Sequence, residues 1–91
     1  IRDDPEAFMT SSEDTLRALR AALLVLPDNI TLRQHLADIL MELGQFEEAE
    51  QEYRLALSLM PENQLLQLNL AAAFYHQGKN SQAMVLVENL L

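Results

Sequence analysis

Apolar residues along this chain recur at the spacing of one face of an α-helix, and short polar segments interrupt them at regular places. The first apolar stripe has members spaced i, i+3, i+7 and i+10, namely Leu16, Leu19, Leu23 and Leu26. Four further stripes follow, and a proline or a glycine separates each from the next: Pro27, Gly44, Pro61 and Gly78. The pattern therefore predicts about five helices and an all-α fold.

Local signals predict where these helices begin and end. Hydroxyl residues at 10–12 precede the first helix, and Pro27-Asp28-Asn29 and Pro61-Glu62-Asn63 end one helix and supply a cap for the next. Glycine tolerates the left-handed backbone that closes a helix. The predicted later helices span about 30–43, 46–60 and 64–77, and we expect Asn80 or Ser81 to cap the last one. Leu43 and Phe46 are among the residues predicted to be buried.

The same residue types recur at one fixed interval of 34 positions. The clearest pairs are Pro27/Pro61, Gly44/Gly78, Ala49/Ala83, Asn29/Asn63 and Leu36/Leu70. A period of this length is typical of a solenoid whose unit is a helical hairpin. Stacked hairpins present one continuous curved face, and such faces bind other polypeptides.

The residue types at these positions resemble the tetratricopeptide repeat. Residues 30–63 match it at Leu36, Ala37, Leu40, Gly44, Phe46, Ala49, Tyr53, Ala56, Leu57 and Pro61. Residues 64–91 repeat the pattern at Leu70, Ala71, Phe74, Gly78, Ala83, Val87 and Leu91. The tryptophan-like position of the family falls on Arg33 and Gln67, so we expect weaker contacts there.

The resemblance implies a right-handed stack of antiparallel helical hairpins. Residues 13–91 form the repeat domain, divided into a half repeat at 13–29, a repeat at 30–63 and a truncated repeat at 64–91. Residues 1–12 are expected to be a linker or an improvised cap, because Pro5 interrupts any helix there. We interpret the chain as a piece of a larger protein.

In the family, the first helix of each repeat lines the concave binding groove. The groove positions of the first full repeat carry Gln34, His35, Asp38, Met41 and Glu42. Those of the next carry Leu65, Leu68, Asn69, Ala72, Tyr75 and His76. The alternative is that these side chains are only the solvated faces of amphipathic helices. Some members bind a C-terminal carboxylate through Lys and Asn, but Gln34 and Asp38 replace them here, so a neutral or basic peptide or helix fits better.

The composition restricts the partners. The chain has 91 residues, a net charge of −8 and no cysteine. Nucleic acid and anionic membranes are disfavoured, because both are bound mainly through lysine and arginine. No apolar run is long enough to span a bilayer. The absence of cysteine is compatible with a reducing compartment, and we expect a cytoplasmic protein.

No set of residues predicts catalysis or a cofactor. His35, Asp38 and Glu42 share a helix face, but three ligands along one exposed helix converge too poorly for a metal site. His76 beside Tyr75 lacks a nucleophile. A cluster of carboxylates around one hairpin is either a solvated face or an acidic patch that attracts a basic segment: Glu42, Glu47, Glu48, Glu50 and Glu52.

The predicted function is therefore that of a protein–protein interaction scaffold or adaptor module. The alternative is a regulatory or substrate-recruiting appendage of an enzyme such as an ATPase, with the catalytic domain outside these residues. The last helix is apolar on more than one side, which predicts a homodimer through Leu86, Leu90 and Leu91. Partner and pathway cannot be derived from the sequence.

Overall fold

Five helices follow one another in the computed structural model, which describes residues 11–91. They are α1 (Ser12–Val25), α2 (Ile30–Glu42), α3 (Phe46–Leu59), α4 (Gln64–His76) and α5 (Asn80–Leu90). Each helix packs against the next along the chain, and the molecule extends 53 × 29 × 18 Å. The predicted all-α stack of helical hairpins is confirmed. The predicted linker or cap at 1–12 lies almost wholly outside the described residues.

The helices that open the repeats at 30–63 and 64–91 are capped by asparagines one period apart. The Asn29 side chain accepts a hydrogen bond from the Leu32 amide at 3.0 Å, and the Asn63 side chain accepts one from the Leu66 amide at 2.9 Å. Helix α1 begins in a similar way, with the Ser11 hydroxyl accepting from the Asp14 amide at 3.1 Å. Each cap satisfies one amide that has no partner within its helix.

Glycine turns join the two helices within each repeat. Gly44 and Gly78 have φ angles of 77° and 78°, so a side chain at either position would be strained. The turn brings the Lys79 amide to the Phe74 carbonyl at 2.9 Å. Lys79 therefore takes the cap position of α5 without a side-chain hydrogen bond, and Asn80 is already the first helical residue. The predicted cap at Asn80 or Ser81 is wrong, because the glycine turn closes one residue earlier.

The core runs between consecutive helices as one layer of buried side chains. Its members include four alanines with no exposed surface: Ala37, Ala49, Ala56 and Ala73. Small side chains let helix axes come within the usual ~8–10 Å. Leu43 was predicted to be buried but is exposed, because it lies one residue past the end of α2. Phe46 is only half-buried, at the start of α3.

Polar contacts replace the missing aromatic of each repeat. The Arg33 guanidinium donates to the Pro27 carbonyl at 2.9 Å, and the Gln67 amide donates to the Pro61 carbonyl at 2.8 Å. Both side chains therefore tie the start of a repeat to the proline turn that precedes it. A specific hydrogen bond stands where only a weaker contact was expected.

Candidate functional site

A buried carboxylate joins the repeat at 30–63 to the repeat at 64–91. Glu50 of α3 is 7% exposed. Its oxygens accept hydrogen bonds from Gln77 Nε2 at 2.9 Å, Lys79 Nζ at 3.0 Å and Arg54 Nε at 2.8 Å. Burial alone raises the pKa of Glu50, but the bonds from Gln77, Arg54 and Lys79 outweigh it and hold the pKa below its usual value. Glu50 is therefore a charged, fully engaged group within the fold.

Asp38, one of the predicted groove residues, is also engaged within the fold. Its carboxylate accepts a hydrogen bond from the hydroxyl of Tyr53, which is buried on α3. Burial raises the pKa of Tyr53 far above its usual range, and the Asp38 carboxylate raises it further. A change at Asp38 would consequently disturb the core as well as any ligand contact.

The other predicted groove residues of α2 lie in mixed surroundings. Met41 packs against the core, and Gln34 is half-buried. His35 and Glu42 are exposed. Among residues 11–91, no group of three or more histidine and carboxylate side chains is placed to hold a metal ion.

Four of the predicted residues on α4 come together in an open groove. Leu68, Asn69, Ala72 and Tyr75 line it with side chains of α5, and its volume is about 450 Å³. This surface, here called the α4–α5 groove, is completed by Ala71, Asn80, Ala83, Met84 and Val87. Leu68, Tyr75 and Met84 are 51%, 65% and 57% exposed. None of the lining residues carries a formal charge.

Two predicted residues of α4 lie outside this groove. His76 stacks on Phe46 of the preceding repeat, with ring centroids 4.7 Å apart, and meets Tyr75 edge-on at 5.5 Å. It thus connects the two repeats. Leu65 is exposed near the start of α4 and does not line the groove.

Sequence reasoning missed the half of the groove that α5 contributes. Met84 and Val87 lie one period after Glu50 and Tyr53, which α4 buries. That relation was available in the sequence. It shows that the side of α5 bearing Met84 corresponds to a covered surface in the first repeat. Leu86, one of the residues of the predicted homodimer, is partly buried and packs against the core.

The acidic cluster is divided between structural pairs and solvent. Glu48 binds Arg20 at 3.0 Å, Glu52 binds Arg33 at 2.7 Å, and Glu50 holds the bonds described above. Three of its five carboxylates therefore already have a cationic partner. Glu47 and Glu48 border a second depression with Phe46 and His76.

Charge is distributed very unevenly along the chain. Residues 64–91 contain a single cation, Lys79, and a single carboxylate, Glu88. The whole net charge of −8 therefore belongs to residues 1–63. Within residues 11–91, none of the helices combines the length and apolar character that crossing a membrane requires.

Comparison with known proteins agrees with this architecture. A family model described as "TPR repeat" matches residues 37–78, and one described as "Tetratricopeptide repeat" matches residues 12–57. A relative from Sinorhizobium fredii, "Uncharacterized protein y4yS", is 38% identical over 69 residues, or 76% of this chain. The matched region covers only 38% of that relative. With matching family models, paired helices and glycine turns one period apart, this chain belongs to the tetratricopeptide repeat family.

Proposed function

We propose that this chain is a protein-interaction module that binds a polypeptide segment of another protein in the α4–α5 groove. Tetratricopeptide repeats generally mediate contacts between proteins. The single observation that carries the proposal is the exposed apolar lining of that groove, with Leu68, Tyr75 and Met84 all more than half exposed. Exposed apolar surface that is grouped in one place is characteristic of contact sites.

The uncharged lining of the α4–α5 groove suits a partner whose contacting segment is also uncharged. Tyr75 offers an aromatic ring with a polar end, a residue type enriched at the energetic centres of interfaces. Asn69 and Asn80 offer amides that fix orientation without charge. A basic segment flanking the neutral region would still be drawn toward the acidic first part of the chain.

Several predictions from the sequence remain proposals. Gln34, His35 and Glu42 extend the contact surface along α2 if the partner reaches that far. A homodimer through Leu86, Leu90 and Leu91 is a separate proposal. We also infer that this chain has no catalytic activity of its own, in keeping with a family that is typically non-catalytic.

Selection of peptides from a random display library on the immobilised chain tests the function. We expect the enriched peptides to bind the chain in solution. The substitution Ala72→Asp should lower the affinity for these peptides at least about tenfold, because a carboxylate in an apolar contact loses hydration. Ala72 is partly exposed, so the fold should tolerate the substitution, and circular dichroism of the variant checks that the helices remain.

The matched control makes the same substitution on an exposed position of α1, Ala21→Asp. It should leave peptide binding unchanged. If no peptide is enriched over an unrelated helical protein, or if both variants bind equally well, the groove is not the contact site.

A further inference from the structure

The depression beside the glycine turn at Gly44 combines aromatic rings with carboxylates. Its volume is about 610 Å³, and its walls come from that turn, the start of α3 and the end of α4. This surface, here called the turn depression, includes Phe46, Glu47, Glu48, Gln51 and His76. It shares no lining residue with the α4–α5 groove, so it is a separate surface of the molecule.

The two carboxylates of the turn depression are only weakly engaged by the fold. Glu47 is exposed and forms an ion pair with no cation among residues 11–91. Glu48 binds Arg20 at 3.0 Å, but both side chains are at least half exposed. An exposed pair of this kind contributes little to stability and is easily exchanged for another partner. The depression therefore carries negative charge that the fold itself does not fully neutralise.

The same positions one period earlier contain a cation of their own. Arg17 precedes Gln51 by 34 positions, and Asp14 precedes Glu48 by the same interval. The guanidinium of Arg17 donates a hydrogen bond to the Asp14 carboxylate. Gln51 thus stands where the preceding repeat has an arginine, and the turn depression lacks that guanidinium.

Another part of the chain shows how an aromatic ring and a carboxylate together hold an arginine. Arg54 donates to the Glu50 carboxylate at 2.8 Å, and its guanidinium carbon lies 5.3 Å from the centre of the Phe74 ring. A guanidinium suits such surroundings because it is planar, stacks on rings and donates several hydrogen bonds. The turn depression offers the same two kinds of group, since its carboxylates lie beside the stacked rings of Phe46 and His76.

We propose that the turn depression binds the guanidinium group of an arginine on a partner protein. Glu47 and Glu48 accept its hydrogen bonds, and the aromatic stack lies beside its plane. Lysine fits less well, because its ammonium group is compact, more strongly hydrated and unable to stack as a plane. The net charge of −8, which belongs to residues 1–63, attracts a basic segment of the partner to this side of the chain. This contact goes beyond the proposed function, because it does not involve the α4–α5 groove.

NMR titration of the isotope-labelled chain with N-acetyl-arginine methylamide tests the site. We expect the shifted amides to lie at 44–51 and 76–77, with a dissociation constant in the millimolar range. The lysine derivative should bind at least about threefold more weakly. The citrulline derivative, which has a similar shape without the charge, should bind at least about tenfold more weakly than the arginine derivative.

Three single variants, all at exposed positions, identify the groups responsible. Glu47→Gln should weaken binding of the arginine derivative at least about fivefold, because a charged acceptor is lost. The control Glu62→Gln makes the same change in net charge beyond the far end of α3, on the order of 20 Å away, and should alter the affinity less than about twofold. Gln51→Arg places in the depression the cation found one period earlier, and it should also weaken binding at least about fivefold.

Three results would overturn the inference. The first is no binding of the arginine derivative, or binding no tighter than that of the lysine or citrulline derivative. The second is an equal loss for Glu47→Gln and Glu62→Gln, which would reduce the effect to net charge. The third is sedimentation showing that the wild-type chain dimerises and that the arginine derivative dissociates the dimer, which would assign the depression to an arginine of a second copy. If the arginine derivative fails to bind while library-selected peptides still bind, the proposed function survives and only this inference is wrong.

Discussion

Two grooves one period apart have the same position in the fold and different chemistry. The first is lined by Arg20, Leu23, Leu24, Pro27, Arg33, Leu36 and Glu52. The second is lined by Arg54, Leu57, Ser58, Pro61, Gln67, Leu70 and Leu86, and each residue follows its counterpart by 34 positions. In the first groove Arg33 bridges the proline turn and Glu52, whereas in the second Gln67 reaches only the turn and Leu86 replaces the carboxylate.

The difference shows that the period determines where contacts form but not which chemistry forms them. Within residues 11–91, Arg33 Nε is buried without a hydrogen-bond partner, whereas Gln67 needs fewer partners at the same place. The surface of α3 that α4 covers and the α4–α5 groove likewise have equivalent positions and different chemistry. The covered surface contains buried polar pairs, and its exposed counterpart is apolar and uncharged. The two repeats should therefore respond differently to the same kind of mutation.

The largest expected difference is between Tyr53 and Val87. Tyr53 is 2% exposed and contacts Asp38, while Val87, one period later, is 37% exposed. Tyr53→Ala should lower the free energy of unfolding by about 3–5 kcal/mol, as aromatic truncations in a core do, and Val87→Ala by less than about 1 kcal/mol. Urea titration followed by circular dichroism measures both values.

The control Tyr53→Phe keeps the ring and removes only the hydroxyl that donates to Asp38. It should cost about 1.5–3 kcal/mol, the usual value of a hydrogen bond to a charged group. Equal losses for Tyr53→Ala and Val87→Ala would mean that α5 is covered as completely as α3, contrary to the comparison.

A smaller effect is expected at Glu50, and it should depend on pH. Because the pKa of Glu50 in the folded protein is lower than its usual 4.5, its contribution to stability is present above that value and disappears as the pH falls through the folded pKa. Glu50→Gln should cost about 1–2 kcal/mol at pH 7, and the difference from wild type should shrink as the pH falls below 4.5 and through the lowered folded pKa. A difference that stays constant in acid would contradict the assigned role of the carboxylate.

The fold could be predicted from the sequence because its signals are local. Asn29, Gly44 and Asn63 cap or end helices whatever packs nearby, and the 34-residue period relates the hairpins to one another. The wrong predictions lie at helix ends, namely the burial of Leu43 and the cap at Asn80. At these places a shift of one residue in the helix end moves a side chain between the helix and the loop.

The candidate site was less predictable, because burial depends on the neighbouring helix. The sequence placed Glu50 in a solvated or acidic cluster, but α4 covers it and supplies Gln77. It placed Asp38 on a binding face without revealing its bond to Tyr53. The α4 half of the groove was predicted through Leu68 and Tyr75, whereas the α5 half, with Met84 and Val87, depends on how α5 packs against α4.

The smallest effect should come from converting the first groove into the second. Arg33 and Glu52 have side chains 14% and 21% exposed, so their ion pair is partly buried. Arg33→Gln should cost about 1 kcal/mol, because Glu52 then remains desolvated without its cation. The double change Arg33→Gln/Glu52→Leu copies the pair Gln67 and Leu86 and should return stability to within about 0.5 kcal/mol of wild type. Urea titrations of the two single variants and the double variant give the coupling energy. If the effects of the two changes on stability are additive, Arg33 and Glu52 contribute independently. The pair Gln67 and Leu86 would then not be equivalent in stability to the ion pair of the first groove.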